Sequence, residues 1–274
     1  DKDSLHHLEW IMMRNIAMAS LILLTTGCWV GNLFVKNLDT LISVRVSSTL
    51  DLYYKQKQQL DQDIDSFLES KKHIANEINQ KLSSYQKLLG TGKINQSQIE
   101  KEMLFWQDFY KDMMLEIIDK YSSYLVGLTT KQQKHFFENY NERTEELLER
   151  LNEDQVEPQE EKYERFFGEL NKKMLSILKS NENFFKSRLK AYIERRQILK
   201  EELLKLFKSK ADDKQFKKLL SSYTNQRFKK DVTHQHSLII KKLLDLMDND
   251  QKSSLNENLA KFKSWVDVFE RTEY

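Results

Sequence analysis

Residues that interrupt or crosslink a polypeptide are scarce in this sequence. Its 274 residues include one cysteine, one proline and six glycines. A single cysteine excludes a disulfide within the chain, so its stability must come from packing. Sheets need turns, and turns rely on proline and glycine, so the scarcity of both residues predicts an all-helical protein.

The sequence also lacks an excess of charge of one sign. It has 44 lysine and arginine residues against 42 aspartate and glutamate residues, which gives a formal net charge of +2. Nucleic-acid-binding domains normally concentrate positive charge on one surface. The near balance therefore argues against a nucleic acid as a partner.

Motifs that carry catalytic chemistry are missing as well. The segment Gly90-Thr91-Gly92-Lys93 lacks the spacing of a phosphate-binding loop. His234 and His236 are two residues apart, so on a helix their side chains would point away from each other. We therefore predict that the protein is not an enzyme and has no cofactor, no metal site and no small-molecule substrate.

An apolar stretch over residues 11–31 indicates where the chain resides. It begins with a basic Met12-Met13-Arg14, continues with an apolar run from Ile16 to Leu24, and ends at Gly27-Cys28. This layout is typical of a secretory signal peptide. The cysteine resembles the end of a bacterial lipobox, which implies cleavage before Cys28 and acylation of its thiol, for example with palmitate. We assign residues 1–27 to an upstream extension and signal peptide.

The membrane that holds this anchor is predicted from the next residue. In lipoproteins of this type an aspartate in the second position commonly retains the protein in the inner membrane, and here that position is Trp29. We therefore expect an outer-membrane lipoprotein that faces the periplasm. The alternative is an inner-membrane anchor that is not cleaved, because the stretch from Asn15 to Val35 is uncharged and long enough to span a bilayer.

Apolar residues recur at helical spacing along the rest of the chain. Steps of three and four predict helices from Tyr54 to Leu89, from Asn95 to Leu125 and from Thr129 to about Leu151. In the second of these, Trp106 continues the apolar stripe and is predicted to lie in the core. The last predicted stripe reaches Phe269. Such stripes are too narrow to stand alone, so we expect a bundle of long amphipathic antiparallel helices.

Two segments in the second half of the chain differ in composition. Residues 152–161 are acidic and contain Pro158, so they are the candidate internal boundary in what we otherwise expect to be a single helical domain over residues 28–274. The basic stretch Ser209–Lys230 alternates lysines with apolar residues and predicts a surface helix.

Three predicted helix starts share a local motif. An apolar residue precedes a capping residue, and a glutamine follows that residue at the third position. The three motifs are Ile94-Asn95-x-x-Gln98, Leu128-Thr129-x-x-Gln132 and Met247-Asp248-x-x-Gln251. This spacing predicts a capping box, in which the capping side chain and the glutamine bind each other's backbone N–H groups.

The Leu128-Thr129-x-x-Gln132 motif is similar to the Leu-Thr-x-x-Gln motif of the Spy and CpxP type of periplasmic helical proteins. Those proteins are linked to envelope stress, and some are ATP-independent chaperones. The chain also resembles a proteobacterial family of uncharacterised helical lipoproteins, whose lipobox precedes a Tyr-Asn-Asn-Leu-Asp-Trp-Leu-like stretch and then Asp-Leu and Gln-Lys. The matching residues are Asn37, Leu38, Asp39, Leu41, Asp51, Leu52, Gln56 and Lys57. The resemblance implies a helical fold and a location in the cell envelope. It assigns no activity to particular residues.

Two functions are consistent with these predictions. The first is a lipid-anchored envelope protein that binds unfolded or partner polypeptides, with a chaperone or stress role like that of Spy. The second is a structural or assembly lipoprotein that docks on one envelope complex, or on the membrane surface, through the basic segment 205–230. An exposed apolar groove flanked by lysines would favour the first function, and a single flat aromatic patch would favour the second.

Overall fold

The computed structural model describes residues 27–91, 94–153, 156–226 and 230–274. Over these ranges the chain forms helices that pack together, so the prediction of an all-α bundle is confirmed. Residues 1–26, which hold nearly all of the predicted signal peptide, lie outside the described residues. Cys28 belongs to the first helix by its backbone, and its side chain lies outside the described part.

The helices are named here in chain order. They are α1 (Gly27–Lys36), α2 (Leu38–Leu50), α3 (Tyr54–Lys71), α4 (Ala75–Thr91), α5 (Gln96–Tyr121), α6 (Ser123–Val126), α7 (Thr130–Asn152), α8 (Val156–Phe167), α9 (Lys172–Ser180), α10 (Glu182–Lys208), α11 (Asp213–Asn225), α12 (Lys230–Asp245) and α13 (Asn249–Arg271). A 3₁₀ turn, Lys72–Ile74, joins α3 to α4.

This 3₁₀ turn divides a segment that was predicted to be one helix. At the end of α3, the Ser70 hydroxyl donates to the Phe67 carbonyl, and His73 Nδ1 lies 2.7 Å from the Ser70 carbonyl oxygen. Side chains thus take carbonyls that a continuing α-helix would use. These bonds lie at the break, and the apolar spacing of the sequence does not reveal it.

The helices after α1 fall into two sets of six, α2 to α7 and α8 to α13, whose first and last members agree in length. The helices α2 and α8 have 13 and 12 residues, and α7 and α13 have 23 residues each. The four helices between them differ in length, with 18, 17, 26 and 4 residues in α3 to α6 and 9, 27, 13 and 16 residues in α9 to α12. Residues 38–152 and 156–271 are called the two helical repeats below, because each begins and ends with a helix of matching length, which the sequence did not predict.

The chain also divides into two compact units. Within the described ranges, the first unit comprises residues 27–45, Tyr54–Lys87 and Asn256–Tyr274, and the second comprises Val46–Tyr53 and Leu88–Leu255. Residues 152–161, the candidate boundary, lie within the second unit. The expectation of a single domain over residues 28–274 stays a prediction.

In the first unit, α1 packs closely against α13. Gly31 is buried, and a Cβ atom placed on it would lie 2.0 Å from Trp265 Nε1, so the α1 backbone touches the indole ring directly. The Tyr274 hydroxyl donates to the Val35 carbonyl at 3.0 Å, and the Tyr274 N–H donates to Glu69 at 3.0 Å. The C-terminal residues thus bind both α1 and α3.

Two buried apolar clusters can be described among the placed residues of the second unit. The first cluster joins α8, α9, α10 and α12, and its members are Tyr163, Phe167, Leu170, Met174, Leu178, Phe185, Ile239, Leu243 and Met247. The second cluster joins α10 to α11, with Leu199, Leu203, Ala211 and Phe216. Phe216 lies in the basic stretch predicted to form a surface helix, and it anchors α11 on its apolar side.

The antiparallel contact between α5 and α12 in the second unit is polar. Gln96 Nε2 donates to the Ser237 hydroxyl at 2.6 Å, and Gln107 Nε2 donates to the Thr233 hydroxyl at 2.9 Å. The apolar stripe of α5 lies beside this polar contact, and Trp106 is only half-buried. The prediction that Trp106 lies in the core is therefore wrong, because α5 turns glutamines toward its partner.

Candidate functional site

Four helix starts carry a complete capping box. The capping residues are Asn95, Thr129, Asp212 and Asp248, and their glutamine partners are Gln98, Gln132, Gln215 and Gln251. In each box the capping side chain accepts a hydrogen bond from the glutamine N–H, and the glutamine Oε1 accepts one from the N–H of the capping residue. Sequence reasoning missed the box at Asp212, although Ala211 supplies an apolar residue at the same spacing.

Gln132 does more than complete its own box. The residue is fully buried, and its Nε2 donates to the Asp51 carbonyl at 2.8 Å. Asp51 follows the last residue of α2 and has a φ of 50°, a left-handed conformation that aspartate tolerates. Leu128, which precedes the capping Thr129, is 5% exposed. The start of α7 is therefore joined to the end of α2, and we call this the first glutamine contact.

Two further side chains of α7 bind carbonyls of the same helix end. His135 Nε2 lies 2.8 Å from the Ser48 carbonyl oxygen, and Asn139 Nδ2 donates to the Thr49 carbonyl at 3.4 Å. The last carbonyls of an α-helix have no partner within the helix. Side chains of α7 therefore satisfy the end of α2.

The second glutamine contact joins the start of α13 to the end of α8. Gln251 is 3% exposed, and its Nε2 donates to the Glu169 carbonyl at 2.7 Å. Glu169 follows Gly168, whose φ of 74° is in the left-handed region that favours glycine. Asn171 Nδ2 donates to Gln251 Oε1 at 3.2 Å, while its own Oδ1 caps α9. Met247, before the capping Asp248, is 8% exposed.

The two glutamine contacts occupy equivalent positions in the two helical repeats. Each connects the end of the first helix of its repeat to the start of the last helix. The glutamines of the other two boxes differ, because Gln98 is only half-buried and Gln215 is exposed. The predicted motif residues Leu128, Thr129, Gln132, Met247, Asp248 and Gln251 therefore have a structural role, and burial of the glutamine separates these two boxes from the others.

A partly buried histidine lies where α8, α10 and α12 meet. His236 Nε2 is 2.9 Å from the Tyr163 hydroxyl, and His236 Nδ1 is 3.3 Å from Arg188 Nη1. A guanidinium group can only donate, so Nδ1 accepts and Nε2 carries the ring proton. Burial, followed by the charges of Arg188 and Lys162, lowers the pKa of His236 from 6.5 to about 3. The imidazole is therefore neutral at physiological pH, and both of its nitrogens are engaged.

This neutral histidine makes stability depend on pH. Below about pH 6.5 the unfolded chain binds a proton at His236 that the folded chain does not bind. We expect the free energy of unfolding to fall by about 1 kcal/mol between about pH 7 and pH 5 because of this group, after allowance for its partial exposure. Urea unfolding followed by circular dichroism at both pH values measures this change.

Two variants isolate the contribution of His236 to the pH dependence. His236→Gln removes the titrating ring and should show a smaller loss of stability on acidification than the wild type. His234→Gln is the matched control, since His234 is exposed and lies 3.0 Å from Glu100 instead. A His236→Gln protein with the same pH dependence as the wild type would show that His236 titrates normally.

An open polar groove lies between α4 and α13 in the first unit. Amide and hydroxyl side chains line it, flanked by lysines: Asn76, Asn79, Gln80, Ser83, Ser84, Lys87, Lys263 and Asp267. Asn79 Nδ2 donates to Asp267 Oδ1 at 2.6 Å across the groove. Such a lining offers both donors and acceptors, as the peptide groups of an extended chain require.

The predicted site residues fall in different units. Cys28 belongs to α1 in the first unit, whereas the six capping-motif residues belong to the second. Among the described residues, no group of three or more His, Cys, Asp or Glu side chains is arranged to hold a metal ion. None of the helices in the described ranges is long and apolar enough to cross a membrane. No protein family, curated protein or solved structure matches the chain.

Proposed function

We propose that the chain is a non-enzymatic envelope protein, anchored by a lipid on Cys28, whose helical body binds polypeptides. The position of the only cysteine carries the anchoring part of this proposal. Cys28 ends a signal-like apolar run, and the helical body begins at the same point, in α1. Acylation would account for a lone cysteine in an exported chain, where an unpaired thiol is otherwise reactive.

The packing of α1 favours a cleaved signal peptide over an uncleaved anchor. The uncharged stretch from Asn15 to Val35 could span a bilayer only if all of it were free to do so. Its residues from Gly31 onward belong to the first unit, because Gly31 contacts Trp265 and the Val35 carbonyl binds Tyr274. The remaining 16 residues, 15–30, fall short of the roughly 20 that a spanning helix needs.

Fatty-acid labelling tests the anchor. In a Gram-negative host that expresses the full chain, we expect the wild type to incorporate labelled palmitate and Cys28→Ala to incorporate none. Ser122→Ala is a suitable control, since it leaves the cysteine in place. Equal labelling of the wild type and Cys28→Ala would contradict lipidation at this residue.

Two features of the surface support polypeptide binding. The second unit exposes large apolar side chains on six helices among lysines and glutamates, and these residues are Tyr110, Val126, Leu148, Phe166, Ile198 and Leu238. Distributed apolar contacts within a charged surface suit clients of varied sequence, because charge steers the encounter and apolar groups hold it. In the first unit, the groove flanked by Lys87 and Lys263 is polar rather than apolar, and it offers hydrogen bonds to a peptide backbone.

Suppression of aggregation tests the binding activity. We expect the full chain, without nucleotide, to suppress the aggregation of several unrelated, chemically unfolded clients at equimolar ratio. Raised salt should slow the capture, because it screens the steering charges. The variant Ile198→Glu removes the most exposed of the six apolar side chains and should weaken suppression, whereas Gln215→Ala, at an exposed polar position, should not.

A different result would support the second candidate function. If the chain protects no client and crosslinks in cells to one envelope protein, it is an assembly lipoprotein that docks on a defined complex. The basic segment 205–230 is the predicted docking element in that case. Part of it already serves the fold, because Phe216 is buried and Lys217 lies 3.1 Å from Asp119 and 3.0 Å from Asp213.

A further inference from the structure

The helices α1 and α2 share an exposed apolar face in the first unit. Four large apolar side chains, Leu33, Phe34, Leu41 and Val44, each expose between 41% and 48% of their surface. Phe34 and Leu41 are seven residues apart and Leu41 and Val44 are three apart, close to whole turns of helix, and Leu33 adjoins Phe34. This set of four residues is called the apolar face below.

The opposite side of α1 and α2 is the one that packs inside the first unit. There, Gly31 contacts Trp265, and the Val35 carbonyl accepts from Tyr274. Ser43 is 4% exposed, and its hydroxyl donates to Asp61. These contacts hold α1 and the part of α2 up to Arg45 within the first unit, with the apolar face on their exposed side.

The exposed charged side chains on the same segment are basic. Over residues 31–45, the charged side chains that are exposed are Lys36 and Arg45. Asp39, the one acidic residue in this range, is half-buried, and its Oδ2 accepts a hydrogen bond from the Thr40 hydroxyl at 3.4 Å. Exposed apolar side chains beside cations are one feature of helices that lie at the surface of an anionic bilayer.

We propose that the apolar face lies against the anionic lipid surface of the membrane that holds the anchor. This inference rests on the proposed location of the protein in the cell envelope. It adds the surface by which the folded body contacts the bilayer. The chain itself indicates this occupant, because Leu33 is five residues after Cys28 in the same helix. Five residues of α-helix span only about 8 Å, so a lipid on Cys28 would hold Leu33 and Phe34 close to the headgroups.

Burial of the apolar face among the lipid headgroups is more favourable than its exposure to water. Apolar side chains of such a helix enter the boundary between headgroups and acyl chains to a depth of about 5–10 Å. Lys36 and Arg45 would then remain at the level of the phosphates, where anionic lipids attract them. The contact would limit the orientations of the anchored body, whereas a bare lipid chain would leave it free to rotate.

Single-cysteine fluorescence quenching tests the proposal on the full chain. An acylated Cys28 does not react with maleimide, so Leu41→Cys and Val44→Cys each introduce one site for an environment-sensitive probe. Ile198→Cys is the control, because Ile198 is 61% exposed and lies on α10 in the second unit. The proteins are reconstituted into vesicles of phosphatidylethanolamine and phosphatidylglycerol that contain a nitroxide-labelled lipid.

We expect the nitroxide lipid to quench the probes at 41 and 44 at least about twofold more than the probe at 198, and iodide in the buffer to show the reverse order. The double substitution Lys36→Glu and Arg45→Glu in the Val44→Cys chain should reduce lipid quenching, since it replaces attraction to phosphatidylglycerol by repulsion. Equal quenching by the lipid at the three positions would overturn the proposal.

The parent chain distinguishes failure of the anchor from failure of the apolar face. If maleimide labels Cys28 in the parent, lipidation at that residue is contradicted. The probes are then placed in the Cys28→Ser chain and mixed with the same vesicles. Quenching at 41 and 44 in that background would support the apolar face without the lipid, and its absence would overturn the proposed contact.

Discussion

We expect Gln132→Leu to lower the free energy of unfolding by about 3 kcal/mol. Leucine has a similar volume but leaves two part-buried backbone groups without their hydrogen-bond partner. The Asp51 carbonyl loses the Nε2 donor at 2.8 Å, and the Thr129 N–H loses the Oε1 acceptor at 3.0 Å. Each buried polar group without a partner costs about 1–3 kcal/mol. Urea unfolding of the full chain, followed by circular dichroism, measures the difference.

The matched control is Gln215→Leu in the box at Asp212. Gln215 makes the same reciprocal bonds to its capping residue, but it is exposed, so water can replace them. The expected loss is at most about 1 kcal/mol, as for a lost helix cap. If the two variants lost the same stability, burial of Gln132 and its bond to Asp51 would contribute nothing beyond capping.

The helices and their starts could be predicted from the sequence because they depend on near neighbours. Helical spacing of apolar residues predicted α7 to within one residue at each end, as Thr130–Asn152. The capping box at Thr129 depends on residues three apart, which the sequence shows directly. Local patterns therefore gave α7 and its start, although they did not reveal the break between α3 and α4.

Burial was harder to predict, because it depends on distant residues. Gln132 is buried since it reaches Asp51, 81 residues earlier, and no local feature separates it from the exposed Gln215. The prediction that Trp106 is buried was wrong for the same reason, because its burial also depends on distant residues. Its stripe is regular, but α5 meets α12 through Gln96 and Gln107, and the tryptophan is only half-buried.

The sequence did not reveal the two helical repeats, because their equivalent helix ends agree in backbone conformation and not in the residues found there. The two helix ends that accept the glutamines use Asp51 in one repeat and Gly168 in the other, both with positive φ. Aspartate and glycine reach this conformation for different reasons, so the sequences differ where the structures agree. The recurrence of Thr129-x-x-Gln132 as Asp248-x-x-Gln251 was the signal that could have revealed it.

We expect Gly31→Ala to destabilise the first unit by about 2 kcal/mol, although alanine forms helices better than glycine. The new Cβ would lie 2.0 Å from Trp265 Nε1 and 2.2 Å from Trp265 Cε2, far inside van der Waals contact. The gain from helix propensity is about 1 kcal/mol at most, and the cost of overpacking is about 1–3 kcal/mol, so the clash should prevail. Urea unfolding, together with limited proteolysis of α1, measures the result.

Gly90→Ala is the control that should change stability in the opposite direction. Gly90 lies in α4, and nothing lies within 4 Å of a Cβ atom placed on it. Alanine there should stabilise the helix by up to about 1 kcal/mol. If Gly31→Ala also stabilised the protein, α1 would not be packed on Trp265, and the whole stretch from Asn15 to Val35 would be free to cross a bilayer. Because the case for a cleaved signal peptide depends on this contact, that outcome would favour the uncleaved anchor.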